Sequence, residues 1–181
     1  MYHIKDDIRM KRSADKILSA LLSCMKTKNF ASVTFSDLQR ASGVGRSTVY
    51  RLFDSTVDIL SYGCDLFAEN LNRKFKAVLS KSPTPREFVL FIFGEWMNES
   101  ELLYGVIASR RGDVLERALV KHRMEFRAIG HFDIDEVQQQ YVKEGLAALM
   151  AAILKVWIRN GKKETPEQLV NLFEMFSKNL E

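Results

Sequence analysis

Apolar residues recur at helical spacing along almost the whole chain. Ala14, Ile17, Leu18, Leu21, Leu22 and Met25 follow i, i+3, i+4, i+7, i+8, i+11, the stripe of an amphipathic helix, and Asn29 stands ready as its left-handed stop. Leu60, Cys64, Phe67, Leu71, Phe75 and Val78 repeat the pattern over a longer span, and Leu115, Leu119, His122, Phe126 and Ile129 repeat it again. No segment sustains the period-two alternation of a half-buried strand. The pattern predicts an all-α chain of about nine helices joined by short loops.

Helix starts are marked by a capping side chain followed three residues later by an acid or amide, the pair that satisfies the free amides of a first turn. Thr34/Asp37, Ser55/Asp58, Thr84/Glu87, Asp133/Glu136 and Thr165/Gln168 have this form. Pro85 and Pro166 fall at first helical positions, where the missing N–H costs nothing. Stops are expected at Gly112, Gly130 and Gly161.

The densest chemistry lies between Thr34 and Phe53. A short helix from Phe35 to Ala41 would be ended by Gly43, whose tolerance of positive φ permits a sharp turn, and a second would begin near Gly45. That is helix-turn-helix spacing. Leu38, Val44, Val49 and Phe53 would hold the pair onto the first helix. The opposite side of the second helix then presents Arg46, Ser47, Thr48, Tyr50 and Arg51, which have the reach for base edges or phosphates in a major groove. Thr34 and Ser36, with the amides of a first turn, are placed to grip a phosphate. A polar helix face is ordinarily just solvated; here the order of cap, short helix, glycine turn, second helix and aromatic finish favours DNA.

Charge agrees with that placement. Residues 1–60 hold ten Lys and Arg against six Asp and Glu, whereas the remainder is balanced, so the whole excess of +4 sits beside the helix-turn-helix. On its own such an excess is modest. The longest apolar stretch runs only from Gly145 to Ile158 and already contains Lys155, where a membrane span needs about 20 residues. No apolar segment follows the basic start, so a secretory signal is not expected and a cytoplasmic protein is. Cys24 and Cys64 lie in helical stripes and are expected to be reduced.

From Arg12 to Leu60 the chain resembles the TetR family of bacterial transcriptional regulators. The resemblance is carried by Val33-Thr34, the Ala41-Ser42-Gly43-Val44 turn, Ser47-Thr48-Val49-Tyr50-Arg51-Leu52-Phe53, and Ser55 opening a long fourth helix. Trp157-Ile158-Arg159-Asn160-Gly161 followed by Glu164-Thr165-Pro166-Glu167 is similar to the C-terminal domain of many Firmicutes members. The family implies a homodimer in which three N-terminal helices bind double-stranded operator DNA and the remaining helices form a ligand pocket and dimer interface. By position, Thr48 and Tyr50 match phosphate-contacting residues, and Ser36, Arg46 and Ser47 sit where other members read bases. The chain departs from the pattern at three places. Gly45 replaces a capping residue, Gln39 occupies a small-residue position, and Thr56 stands where a phosphate-binding Lys is common, leaving Arg51 or Lys28 to replace it.

On this reading residues 1–54 form the DNA-binding domain and residues 55–181 a helical domain for effector binding and dimerisation. Phe88 to Met97 is apolar nearly all round, which implies a helix buried on several sides. Phe67, Phe91, Trp96, Tyr104, His122, Phe126 and Tyr141 are candidates to line a pocket for a small hydrophobic effector, although aromatics of this kind more often simply fill a core.

The helix expected from Asp133 to Asn160 carries two apolar stripes. One holds Val137, Tyr141, Ala148 and Ala152, the other Ile134, Val142, Leu146, Leu149, Ile153 and Trp157, so one face cannot bury both. With Leu169, Phe173 and Phe176 on the next helix, Tyr141, Ala148 and Ala152 are the candidate dimer interface; closure of the monomer's own core is the competing reading.

His3, His122 and His131 lack metal-site spacing, and no nucleophile–base pair or phosphate loop appears, so no metal, cofactor or enzymatic activity is expected. The expected function is transcription regulation, as a repressor released by a small molecule; the alternative is a co-regulator whose effector is a protein.

Overall fold

The computed structural model describes residues 1–78, 84–122 and 135–177. Nine α-helices account for their regular structure, with one 3-10 turn at Phe30–Ser32 and one isolated antiparallel bridge between Tyr2 and Phe53. The helices are α1 (Ile8–Met25), α2 (Phe35–Ser42), α3 (Arg46–Leu52), α4 (Thr56–Val78), α5 (Pro85–Asn98), α6 (Ser100–Ala108), α7 (Gly112–Lys121), α8 (Glu136–Arg159) and α9 (Pro166–Ser177).

Most starts are the capped ones expected. Thr34 and Asp37 form a reciprocal capping box on α2, Thr84 and Glu87 do so on α5, and Thr165 and Gln168 exchange the same bonds at α9. Ser55 Oγ accepts the Asp58 amide at the head of α4.

Three local expectations are corrected. The box of α8 uses Asp135 with Gln138, two residues later than Asp133 with Glu136; Asp133, Gly130 and Ile129 lie outside the described residues. Asn29 has φ −61° and stops nothing, because α1 already ends at Met25 with Lys26 as its cap. Gly112 opens α7 rather than ending a helix, and the left-handed residue after α6 is Arg110, at φ 58°.

The stripe of α1 is buried through Ala14, Ile17, Leu21 and Met25, and Leu38, Val44, Val49, Leu52 and Phe53 close over it. These three helices form the N-terminal head, from which α4 continues into the remaining helices with Leu60, Cys64, Phe67 and Leu71 buried. No residue from Phe88 to Met97 is exposed, which fits the helix apolar all round. Phe88 packs edge-on against Phe75 of α4, and Phe93 against Phe173 of α9.

The two stripes of α8 separate as their chemistry requires. Leu146, Met150, Ile153, Leu154 and Trp157 face the interior, while Val137, Tyr141, Ala148, Ala152 and Val156 are exposed. The Trp157 indole donates to the Glu164 carbonyl at 3.0 Å, fixing the turn into α9, which passes through Gly161 at φ 81°. Among the described residues no helix is long and apolar enough to cross a membrane.

Candidate nucleic-acid interface

The α2–turn–α3 unit is fixed from both ends. Thr34 Oγ1 accepts the Asp37 amide, and Asp37 in turn accepts the Thr34 amide and hydroxyl. Lys28 Nζ reaches the same carboxylate at 2.8 Å. Lys28 first, then the Thr34 donors, hold the Asp37 carboxyl far below its ordinary range. At the other end Gly43 takes φ 68°, and its N–H donates to the Gln39 carbonyl at 3.0 Å. A side chain there would be strained, because the left-handed region crowds a Cβ. Gly45 then serves as the cap of α3, its carbonyl accepting the Thr48 and Val49 amides.

Val49 and Leu52 anchor α3 inward, which turns its other face out. Arg46, Ser47, Tyr50 and Arg51 are exposed and Thr48 is half-buried. The Tyr50 ring packs edge-on against Phe35 at 4.9 Å, and the Arg46 guanidinium lies 5.5 Å above it. Phe35 therefore holds Tyr50 upright, and Tyr50 steadies Arg46. Among the described residues neither Arg46 nor Arg51 has a carboxylate within ion-pair distance, although Arg51 is near enough to Asp7 to help hold that carboxyl below its ordinary range.

At the start of α2 the expected phosphate grip is altered. Ser36 is exposed, but the Thr34 hydroxyl is occupied by the capping box and Lys28 is spent on Asp37. Of the two residues available to replace the Lys missing at Thr56, only Arg51 remains outside an ion pair among the described residues.

The aromatic set named for an effector does not converge on one cavity. Phe67 and Trp96 are buried against each other with ring centroids 3.9 Å apart and planes inclined by 40°, and Phe91 lies half-buried beside Phe75. Tyr104 is 49% exposed and Tyr141 76% exposed, so neither lines an interior space. His122 caps the end of α7 and faces Asp65 at 3.0 Å; Phe126 lies outside the described residues. The interface set also divides. Tyr141, Ala148, Ala152 and Phe176 are exposed, whereas Leu169 and Phe173 are buried in the monomer, Phe173 against Phe93.

Periodicity missed one polar cluster. Asp65 is the one buried charged residue among those described, and it collects the Tyr2 hydroxyl, Lys121 Nζ and His122 Nε2. Burial opposes its ionisation, but Lys121 and Tyr2 outweigh it and keep the carboxyl below its ordinary range. Burial first, then Asp65, pushes the Tyr2 phenol up to about 12. The only hint in the sequence is an acid beside Cys64 in an otherwise apolar stretch. Cys24 and Cys64 are free thiols, and no group of three or more metal-ligating side chains occurs among the described residues.

Residues 17–62, spanning the second half of α1 through the start of α4, match the model of the bacterial regulatory proteins of the tetR family. Over that segment the chain is similar to the tetR family. Its fold extends beyond the matched segment. Lin0861 from Listeria innocua superposes with a TM-score of 0.79 at 16% identity, covering 99% of this chain and 96% of that one. A TetR transcriptional regulator from Streptococcus agalactiae gives 0.63 at 20% identity, over 93% and 94% of the two chains. One from a Rhodococcus species gives 0.61 at 15% identity, over 92% and 94%. No curated protein sequence matches. The matched segment therefore holds the helix-turn-helix, and the helices from α4 onward complete the fold shared with these solved structures.

Proposed function

We propose that this TetR-family protein is a DNA-binding transcriptional repressor that acts as a homodimer and is released from its operator by a small molecule. Residues 1–54 read DNA and residues 55–181 sense and dimerise. The observation that carries the reading is the outward face of α3, where Arg46, Ser47, Thr48, Tyr50 and Arg51 stand together and Arg46 lies over the Tyr50 ring rather than against a carboxylate. Guanidinium groups on an exposed helix of this length suit the major groove.

Two such helices related by a two-fold axis read the half-sites of a pseudo-palindrome. The uncovered stripe of Tyr141, Ala148 and Ala152, with Phe176 of α9, is the surface for that pairing. A small-molecule effector is supported by Trp96, whose indole N–H is buried beside Phe67 without an acceptor. A bound molecule offering a carbonyl or hydroxyl oxygen would satisfy it.

Fluorescence anisotropy with DNA from upstream of the chain's own gene tests the reading. Arg46→Ala is expected to reduce discrimination between operator and unrelated duplex, and Tyr50→Phe to weaken binding to both. Affinity should fall steeply with salt, as phosphate contacts require. Unchanged operator affinity in both variants would remove α3 from the interface.

A further inference from the structure

The head is tied to the C-terminal helices by a second connection besides α4. The first residues of the chain run antiparallel to the end of α3, with Tyr2 bridging Phe53 and the His3 amide donating to the Leu52 carbonyl at 2.8 Å. That carbonyl is among those a helix leaves unpaired at its C-terminus, so the arm completes the end of α3. The arm is itself anchored by the Tyr2 side chain. Its ring meets Tyr62 edge-on at 5.6 Å, and Lys121 Nζ lies 5.6 Å from its centre.

Its hydroxyl donates to Asp65 Oδ2 on α4, the oxygen that also takes Lys121 Nζ, the last residue of α7. Asp65 Oδ1 faces His122 Nε2, and the His122 carbonyl accepts from Asn72 Nδ2 at 2.8 Å. One buried carboxylate thus holds the end of α7 on one side and, through the arm, the end of α3 on the other. Buried polar clusters of this kind act as units, because losing one partner leaves a desolvated charge behind.

We propose that Asp65 is a positioning residue for DNA recognition: by clamping the Tyr2 arm to the end of α7, it sets the orientation of α3 relative to the C-terminal helices. A shift of α7 pulls on Asp65, the arm follows, and the Leu52 end of α3 moves with it. The coupling requires Tyr2 and Lys121 equally, although neither lies on the exposed face of α3.

The inference rests on the DNA-binding reading above, and two measurements separate their failures. Tyr2→Phe keeps the ring and removes the hydroxyl, Lys121→Met removes the ammonium, and Lys121→Arg restores a donor. Arg117→Gln, on the same helix but paired with Asp113, controls for net charge. In operator anisotropy, well below the melting temperature of each variant, Tyr2→Phe and Lys121→Met are expected to raise Kd by about threefold to tenfold, a typical coupling for residues of one network. Lys121→Arg and Arg117→Gln should stay within about twofold on the same scale.

Hydrogen exchange of the α3 amides, which needs no DNA, is expected to quicken in Tyr2→Phe and Lys121→Met. An equal Kd in all four variants with parent exchange rates in α3 would overturn the proposal. Were the parent itself not to bind DNA, the DNA-binding reading would fail, and the exchange rates alone would decide whether the clamp holds α3.

Discussion

A Cβ placed on Gly105 of α6 would stand 2.8 Å from Leu22 Cδ2 of α1, so head and C-terminal helices meet where neither has room for another methyl. Gly63 of α4 faces the same joint, with Leu18 and Leu102 both 3.0 Å from its would-be Cβ. Gly105→Ala gains up to about 1 kcal/mol in helix propensity, but the overlap costs about 1–3 kcal/mol. Because the obstacle is the flexible end of Leu22, the lower part of that range applies, and the variant should lose up to about 1 kcal/mol by urea denaturation. In a double-mutant cycle Leu22→Ala should absorb the loss, so that the pair costs less than the sum. A stabilised Gly105→Ala chain would mean that the joint is loose.

The cap of α2 makes the head sensitive to acid. Lys28 and the Thr34 donors favour the ionised form of Asp37 in the folded state, and Lys121 and Tyr2 do the same for Asp65. A depressed folded-state pKa adds stability that is fully present above the unfolded value near about 4 and disappears as pH falls through the folded one. The melting temperature is therefore expected to drop on acidification below about pH 4. Asp37→Asn should flatten part of that drop while lowering the melting temperature at neutral pH. An acid profile identical to the parent's would show that the Lys28–Asp37 contact does not persist in solution.

Local chemistry was readable wherever neighbours in sequence decide it. Thr34 and Asp37, Thr84 and Glu87, and Gly43 act within one turn of chain, so their caps and stop are written in adjacent residues. The α2–α3 unit and its outward face followed from the same short range. What spacing alone does not carry is the choice of partner across space. Leu169 and Phe173 share one stripe with Phe176, yet the first two are buried within the chain, Phe173 against Phe93 of α5, and only the third is left outside. The Asp65 cluster joins residues separated by more than fifty positions, and nothing local announces that Tyr2 will reach it. Arg110 rather than Gly112 took the left-handed position because α7 begins at the glycine.

Trp96 and Phe67 pack against each other but differ in what substitution removes. The Trp96 indole N–H has no acceptor, so Trp96→Phe sacrifices ring volume without breaking a hydrogen bond, and leaves no donor unpaired. It should cost no more than about 1–2 kcal/mol in urea denaturation, against about 3–5 kcal/mol for Phe67→Ala, which opens a cavity against the facing ring. A Trp96→Phe loss as large as that of Phe67→Ala would show that the N–H is satisfied in solution.

Tyr141 at 76% and Phe176 at 53% exposure lie on the outer side of the last two long helices, with Ala148 and Ala152 permitting close backbone approach between them. Large apolar side chains left outside the core in this way are candidates for the proposed pairing surface. A two-fold interface is self-complementary, so each substitution strikes it twice. Tyr141→Glu combined with Ala152→Glu should therefore place like charges opposite one another and convert a dimer into a folded monomer. Size-exclusion chromatography with light scattering at micromolar concentration reads the mass directly, and circular dichroism confirms that the helices persist. Phe173→Ala provides the contrast: it is buried against Phe93 within one chain, so it should lower the melting temperature at unchanged mass. A parent chain that is already monomeric, or a double variant that remains dimeric, would place the pairing surface elsewhere. Because two half-sites bind far more tightly than one, the glutamate variant should also lose operator affinity while its α3 face stays intact.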